Sequence, residues 1–198
     1  MNRTALLAVV AAVVLPGAGC VQTKISEPPR TATEQLMLST ATDRSLRGAP
    51  MLEMFKDKKV FVDAQYFESY DKPYVIGALR QMLSDHGALL ATSAANSDVV
   101  LEPRSGALST DSSSSLIGMP SLPVPVPFAG NVTTPEIYFM KTQKLYSVAK
   151  LALFAYEQKS GGHFYSSGPL VGKARLKYYS FLGFISITRT DVPEKKNQ

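Results

Sequence analysis

The sequence predicts a single α/β (α+β) domain, a mixed sheet with two covering helices and a long Pro-rich loop. In the first half, a strand–helix–strand order suits parallel strands that are joined by a crossover helix. In the second half, long segments alternate as strands do, and a cluster of Pro residues separates the two halves. Hydrophobic residues make up 45% of the chain, too many for a disordered protein, so a buried core is expected.

Two segments have the apolar spacing of helices. Thr31 and Glu34, three residues later, form a capping-box pattern. This pattern and the apolar spacing after it predict the first helix over residues 33–47. Asp71 can cap the second helix, and Gly87 suits the left-handed position just after its end. The stripe of this second helix that would face the sheet consists of Val75, Ile76, Leu79, Met82 and Leu83.

Six segments have the alternation and the residue types of strands. Val, Ile, Phe and Tyr are frequent in them, and these residues favour a pleated, half-buried surface. Two consecutive Gly residues at 161 and 162 favour a tight hairpin turn. The β pattern returns at Ile137, and the tail from Pro193 is expected to fray. The predicted strands are residues 59–67, 88–92, 98–108, 144–157, 163–171 and 181–188.

The N-terminal residues resemble an export signal. After the basic Arg3, residues 5–15 form an unbroken apolar run. At about 1.5 Å per residue, a helix of this length reaches about 16 Å, roughly half of the hydrocarbon thickness of a bilayer. Because the run is too short to span a membrane, we predict that residues 1–19 are a signal peptide.

Cys20, the single Cys of the chain, follows three small residues, Gly17, Ala18 and Gly19. This arrangement resembles the lipobox of bacterial lipoproteins, which implies cleavage before Cys20 and acylation of its sulfur. The alternative is an ordinary secretory signal with an incidental Cys. A free thiol is a liability in an oxidising compartment unless acylation consumes it, so we predict lipidation of Cys20. Residues 20–30 would then form the lipidated tether.

The predicted location is the periplasmic face of the outer membrane in a bacterial cell envelope, with residues 31–192 as the periplasmic domain. Val21 favours the outer membrane, because lipoproteins retained at the inner membrane usually carry Asp at that position. The formal net charge is only +5, and no Arg-rich face or stacking motif indicates nucleic acid. The predicted partners are the membrane, through the lipid at Cys20, and an unidentified envelope protein.

Residues 110–135 are predicted to form the long loop. Four Pro residues within residues 120–127 remove backbone donors and favour an extended, polyproline-like conformation. One interpretation is an apolar flap that covers the sheet. The other is an exposed segment that binds a partner or dips into lipid, because long loops are often functional. The candidate partner-binding residues are Leu116, Ile117, Met119, Leu122, Val124, Val126 and Phe128.

Patterns that indicate catalysis or metal binding are weak. His86 and His163 are the only His residues, and one ends a helix while the other follows a turn. The four Ser residues at 112–115 lack the Gly residues of a nucleophile elbow. A single Cys excludes a Cys-rich metal site. We therefore predict a protein that is not an enzyme and that has no metal site and no cofactor.

Two other functions remain open at the sequence level. The first is a lipoprotein that binds a small molecule or a glycan between the Pro-rich loop and the sheet, where Tyr178, Tyr179 and Phe181 would stack on sugar rings. The second is an envelope hydrolase, for which the sequence shows no constellation of Ser or carboxylate residues. The function that we predict first is that of a membrane-anchored, periplasm-facing lipoprotein that acts as a non-catalytic interaction or envelope-assembly protein.

Five further stretches stand out: residues 33–41 (TEQLMLSTA), 74–80 (YVIGALR), 104–108 (RSGAL), 121–127 (SLPVPVP) and 166–169 (SSGP). In them the chain resembles an uncharacterised family of bacterial lipoproteins, a domain of unknown function. The resemblance covers nearly all of the mature chain and implies no catalytic residue. More distantly, the strand–helix–strand opening resembles periplasmic α/β modules of envelope-assembly lipoproteins, including those related to the curli secretion channel.

Overall fold

A computed structural model describes residues 30–50, 52–127 and 130–193 of the chain. The described residues from Ala32 onward form one compact unit. The predicted signal peptide, Cys20, nearly all of the predicted tether, Phe128 and the last five residues lie outside the described residues.

Two helices form where the sequence predicts them, α1 (Ala32–Arg47) and α2 (Lys72–Asp85). Pro73 lies in the first turn of α2, where a missing N–H costs little. Gly87 follows α2 with a φ of 84°, the left-handed geometry expected just after a helix. Within the described residues, no helix has the length and hydropathy that crossing a membrane requires.

The described residues contain eight strands, which form one sheet and one separate hairpin. The sheet is mixed, curled and six-stranded, with the order β2-β1-β3-β6-β7-β8, while β4 pairs with β5 alone. Strand β1 is parallel to β2 and β3, and the other pairs are antiparallel. The α+β fold class is therefore confirmed. The strands are β1 (Lys59–Val62), β2 (Leu89–Leu90), β3 (Val99–Met119), β4 (Pro123–Val126), β5 (Gly130–Thr133), β6 (Ile137–Glu157), β7 (His163–Phe181) and β8 (Ile185–Thr190).

The observed strand lengths differ from the predicted ones. Strands β1 and β2 are shorter than expected, and β8 begins four residues later, at Ile185. Strands β3, β6 and β7 are much longer and pair with one another along most of their length. This pairing provides hydrogen-bond partners for the backbone of residues that have little strand preference of their own. Sequence patterns depend on that preference, so they predicted strand ends that are too early.

The prediction of one long loop over residues 110–135 is wrong. Residues 110–119 continue β3, and β4 and β5 form a two-stranded hairpin beyond it. Pro123 and Pro125 occupy alternate positions of β4, so both missing N–H groups lie on the same edge of the strand. Strand β4 can therefore pair through its other edge, which the sequence-level argument against a strand overlooked.

Two clusters of buried residues lie on one face of the sheet and form most of the described core. The larger cluster joins α2 to β1, β3, the C-terminal half of β6 and the N-terminal half of β7. Val75, Leu79 and Leu83 of α2 are fully buried in it. The smaller cluster lies under α1, where Met37 and Ala41 meet β6 and β7. Both clusters are built from residues 37–192, so a chain that lacks residues 1–20 keeps the entire described core.

Helix α1 lies directly against the backbone of β7 at Gly172. A Cβ at this position would lie 2.5 Å from the backbone N of Ser45 and closer still to the carbonyl oxygen of Ala41. Beside this contact, Arg44 donates to the carbonyl oxygen of Lys173 at 2.5 Å and forms a salt bridge of 3.1 Å with Asp191. Gly172 therefore sets the distance between α1 and the sheet.

Gly172→Ala is expected to destabilise the domain by about 1–3 kcal/mol, because the added methyl group must displace the backbone of α1. Gly77→Ala in α2 is the matched control: a Cβ there meets no atom within 4 Å. Because Ala favours helices more than Gly does, Gly77→Ala should stabilise by about 0.5–1 kcal/mol. Urea unfolding of a chain without residues 1–20 measures the free energy of unfolding of both variants. Equal changes in the two variants would contradict the close contact at Gly172.

Candidate functional site

The two faces of the long strands differ in chemistry. Residues that pair directly across antiparallel strands point to the same face, so the register assigns each side chain to a face. Leu145 pairs with Leu176, and both belong to the core cluster under α1. The neighbouring pair, Lys144 with Lys177, therefore points to the opposite face. We call this opposite face the outer face.

Six exposed Lys and Arg residues lie on the outer face of β6, β7 and β8, and we call them the basic band. Lys144, Lys177 and Arg189 form one continuous row across β6, β7 and β8. Among the described residues, no side chain of the band forms a salt bridge. Their charges are therefore available to an external anion. The members of the basic band are Lys144, Lys150, Lys173, Arg175, Lys177 and Arg189.

A shallow hollow of about 330 Å³ lies within the basic band. Lys144, Lys177 and Arg175 line it together with the hydroxyl of Ser113, while Asp111 is its one carboxylate. The guanidinium carbon of Arg175 lies 5.7 Å from the centre of the Tyr146 ring, a cation–π contact that holds this cation over the face. Cationic and hydroxyl donors of this kind suit a phosphate-bearing ligand.

Apolar side chains occupy the outer face next to the basic band. Ile117, Met140, Phe181 and Ile185 form one row across four strands. The row between them and the basic residues contains Tyr179 and Ile187. Ile117 is 60% exposed, Ile185 47% and Ile187 48%. We call these residues the apolar end: Ile117, Met140, Tyr179, Phe181, Ile185 and Ile187.

The candidate partner-binding residues fall into two groups rather than one loop. Leu116, Ile117 and Met119 lie on β3, where Leu116 is half-buried and the other two are exposed. Leu122 precedes the hairpin and is 50% exposed, and Val124 on β4 is 43% exposed. Val126 lies on β4, and Phe128 is outside the described residues. Such exposure does not fit a flap that packs on the sheet.

The three candidate ligand-binding residues are not brought together. Tyr178 packs against the core cluster under α1, on the helix-covered face. Tyr179 and Phe181 alternate with it along β7 and lie on the outer face. Only Tyr179 and Phe181 could therefore contact the same sugar ring.

The Ser run and His163 lie far apart on the sheet. Ser112 pairs with Leu145 and Ser115 with Thr142, whereas His163 pairs with Tyr156. Eleven strand residues separate these pairings on β6, which corresponds to about 36 Å. The two groups cannot act on one substrate atom. Within the described residues, no group of three His, Cys, Asp or Glu side chains is placed to hold a metal ion.

A groove between α1 and α2 was not predicted from the sequence. It has a volume of about 570 Å³, and Asp43, Arg47, Tyr74 and His86 are among the residues that line it. The Tyr74 hydroxyl donates to Asp43 Oδ1 at 2.9 Å. Burial, followed by this hydrogen bond, raises the pKa of Tyr74 above that of a free tyrosine. Sequence patterns missed the groove because it is formed by helices that are separated along the chain.

The fold and the outer face define an α+β domain with one helix-covered sheet face and one open face that is basic and apolar. The chain belongs to a family of unknown function (DUF6655), whose model matches residues 12–187. The resemblance to a domain of unknown function is thereby confirmed. Among curated proteins, none matches the chain.

Val124→Asp is expected to change the free energy of unfolding of the domain by no more than about 0.5 kcal/mol, because its exposed side chain is outside the core. Val99→Asp is the control, since Val99 is 2% exposed and belongs to the larger cluster. An unpaired buried carboxylate should abolish folding or lower the melting temperature strongly. If both variants melted equally early, the hairpin would have to be part of the core.

Proposed function

We propose that the protein is a lipid-anchored, non-catalytic interaction protein of the bacterial cell envelope. Acyl chains on Cys20 hold it at the periplasmic face of the outer membrane, and the β4–β5 hairpin binds an envelope protein. The observation that carries the interaction part is the exposure of apolar side chains on the hairpin.

The anchor is supported by residues at the N-terminus. A short apolar run precedes three small residues and the single Cys of the chain, an arrangement that resembles a lipobox. Two or more acyl chains give stable attachment, whereas a single chain gives marginal attachment. Residues 21–31 would then separate the lipid from α1, which begins at Ala32.

The hairpin has the features of a docking element. Val124 pairs with Val132, and these side chains are 43% and 49% exposed. Thr134 ties the base of the hairpin, since its backbone N donates to the carbonyl oxygen of Leu122 at 2.9 Å. Pro123 and Pro125 leave one edge of β4 without donors, which disfavours addition of a further strand. A partner would therefore contact the Val side chains rather than extend the sheet.

Metabolic labelling with a palmitate analogue tests the anchor. The native chain should be labelled and should sediment with membranes in high salt, which screens peripheral electrostatic contacts. Cys20→Ala should lose both properties because it has no sulfur to acylate. Val21→Ala is the control and should stay labelled, since it leaves the thiol in place. An unlabelled native chain, or a Cys20→Ala chain that still sediments fully, would overturn the proposed anchor.

Crosslinking in the native envelope, followed by mass spectrometry, tests the hairpin. A protein captured by the native chain should be lost with Val124→Asp, because a charge in the contact has to be desolvated. Leu89→Asp is the matched control: Leu89 is 54% exposed on β2, an edge strand of the six-stranded sheet, to which the hairpin does not belong. Equal loss with both variants, or no loss with either, would contradict docking through the hairpin.

Small-molecule binding is a second candidate function, and the groove between α1 and α2 favours it. Its volume of about 570 Å³ lies within the range of about 300–1,000 Å³ that is usual for ligand sites. Gly77 lines the groove and has room for a side chain. If small molecules extracted from the envelope raise the melting temperature of the native chain, Gly77→Trp should abolish the shift by filling the groove.

A further inference from the structure

The basic band and the apolar end are adjacent zones of the same outer face. The row of Lys144, Lys177 and Arg189 lies four strand positions from the row of Met140, Phe181 and Ile185. At about 3.3 Å per residue, the two rows are about 13 Å apart. Within the described residues, neither α1 nor α2 covers these zones, because both helices pack on the opposite face.

We propose that the outer face binds the surface of an anionic phospholipid bilayer. The basic band lies at the level of the headgroup phosphates, and the apolar end inserts between headgroups and acyl chains. The proposal builds on the anchor at Cys20, which keeps a bilayer within reach of the domain, and adds a second, non-covalent contact with it.

Charge complementarity identifies the bilayer as the occupant. The rows from Ala107 to Ser115 of β3, with their partners on the neighbouring strands, contain six cations and one carboxylate, Asp111. Long Lys and Arg side chains can lay their apolar stems along the sheet and extend the charged groups to phosphates. Each such cation near an anionic membrane surface strengthens binding by a factor of about five.

The apolar end distinguishes a bilayer from a soluble anion. A free phosphate or a polyanion needs only the cations, and exposed Ile117, Ile185 and Ile187 would contribute nothing to its binding. The turn between β7 and β8 extends the apolar surface, since Leu182 is 53% and Phe184 76% exposed. An interfacial element typically buries its apolar face to a depth of about 5–10 Å, which the spacing between the two zones allows.

Vesicle sedimentation with a chain that lacks residues 1–20 tests the proposal without the lipid anchor. This chain keeps both core clusters, and its melting curve verifies folding. We expect it to sediment with vesicles of phosphatidylglycerol and phosphatidylcholine, and to remain in solution with phosphatidylcholine alone. High salt should weaken the binding, because it screens the charges.

Paired variants locate the contact on the outer face. Lys144→Gln with Lys177→Gln should weaken binding to the anionic vesicles roughly 25-fold. The control is Lys58→Gln with Lys159→Gln, which removes the same number of charges at exposed positions outside the band. This control should bind the anionic vesicles more than five times as tightly as the variant of Lys144 and Lys177. Ile117→Ser should also weaken binding, whereas Leu36→Ser, at a similarly exposed position on α1, should not.

Three results would overturn the proposal: no sedimentation with anionic vesicles, equal sedimentation with both kinds of vesicle, or equal loss with test and control variants. Full inhibition by inorganic phosphate together with an unaffected Ile117→Ser would also overturn it, since that pattern describes a soluble-anion site. Failure here leaves the labelling of Cys20 unaffected, and failure of that labelling leaves vesicle binding intact, so the two ideas fail separately.

Discussion

The close packing of α1 on β7 at Gly172 determines the organisation of the domain. Because no Cβ stands between them, the helix reaches the sheet backbone, and Arg44 fixes its position through Lys173 and Asp191. With α2 on the same side, all the core clusters form on one face. The other face of the same strands is then free to carry charge and exposed apolar side chains without loss of core packing.

Sequence patterns predicted the elements in which local preferences, such as helix ends and apolar stripes, agree with the tertiary packing. Both helices have apolar stripes and suitable ends, and Gly87 occupies the left-handed position that only a residue without Cβ adopts easily. The crossover from β1 through α2 to β2 also follows from the order of patterns along the chain. These features depend on residues that are close in sequence.

The remaining features depend on pairing between distant residues. The Ser residues at 112–115 favour turns by themselves, but β6 supplies their partners and keeps them in β3. Likewise, Tyr178 and Tyr179 look alike in the sequence, while the register sends one to the core and the other to the outer face. The basic band is dispersed over residues 144–189, and only the register of three strands brings its members together.

The two proposed membrane contacts would strengthen each other. A domain held by acyl chains on a tether of about ten residues stays near the bilayer at an effective concentration in the millimolar range. Contacts of modest affinity for the free domain would then suffice to orient the anchored one. A broad face of exposed Lys, Arg and Ile side chains, with a shallow hollow of about 330 Å³, suits such weak, repeated contact with headgroups.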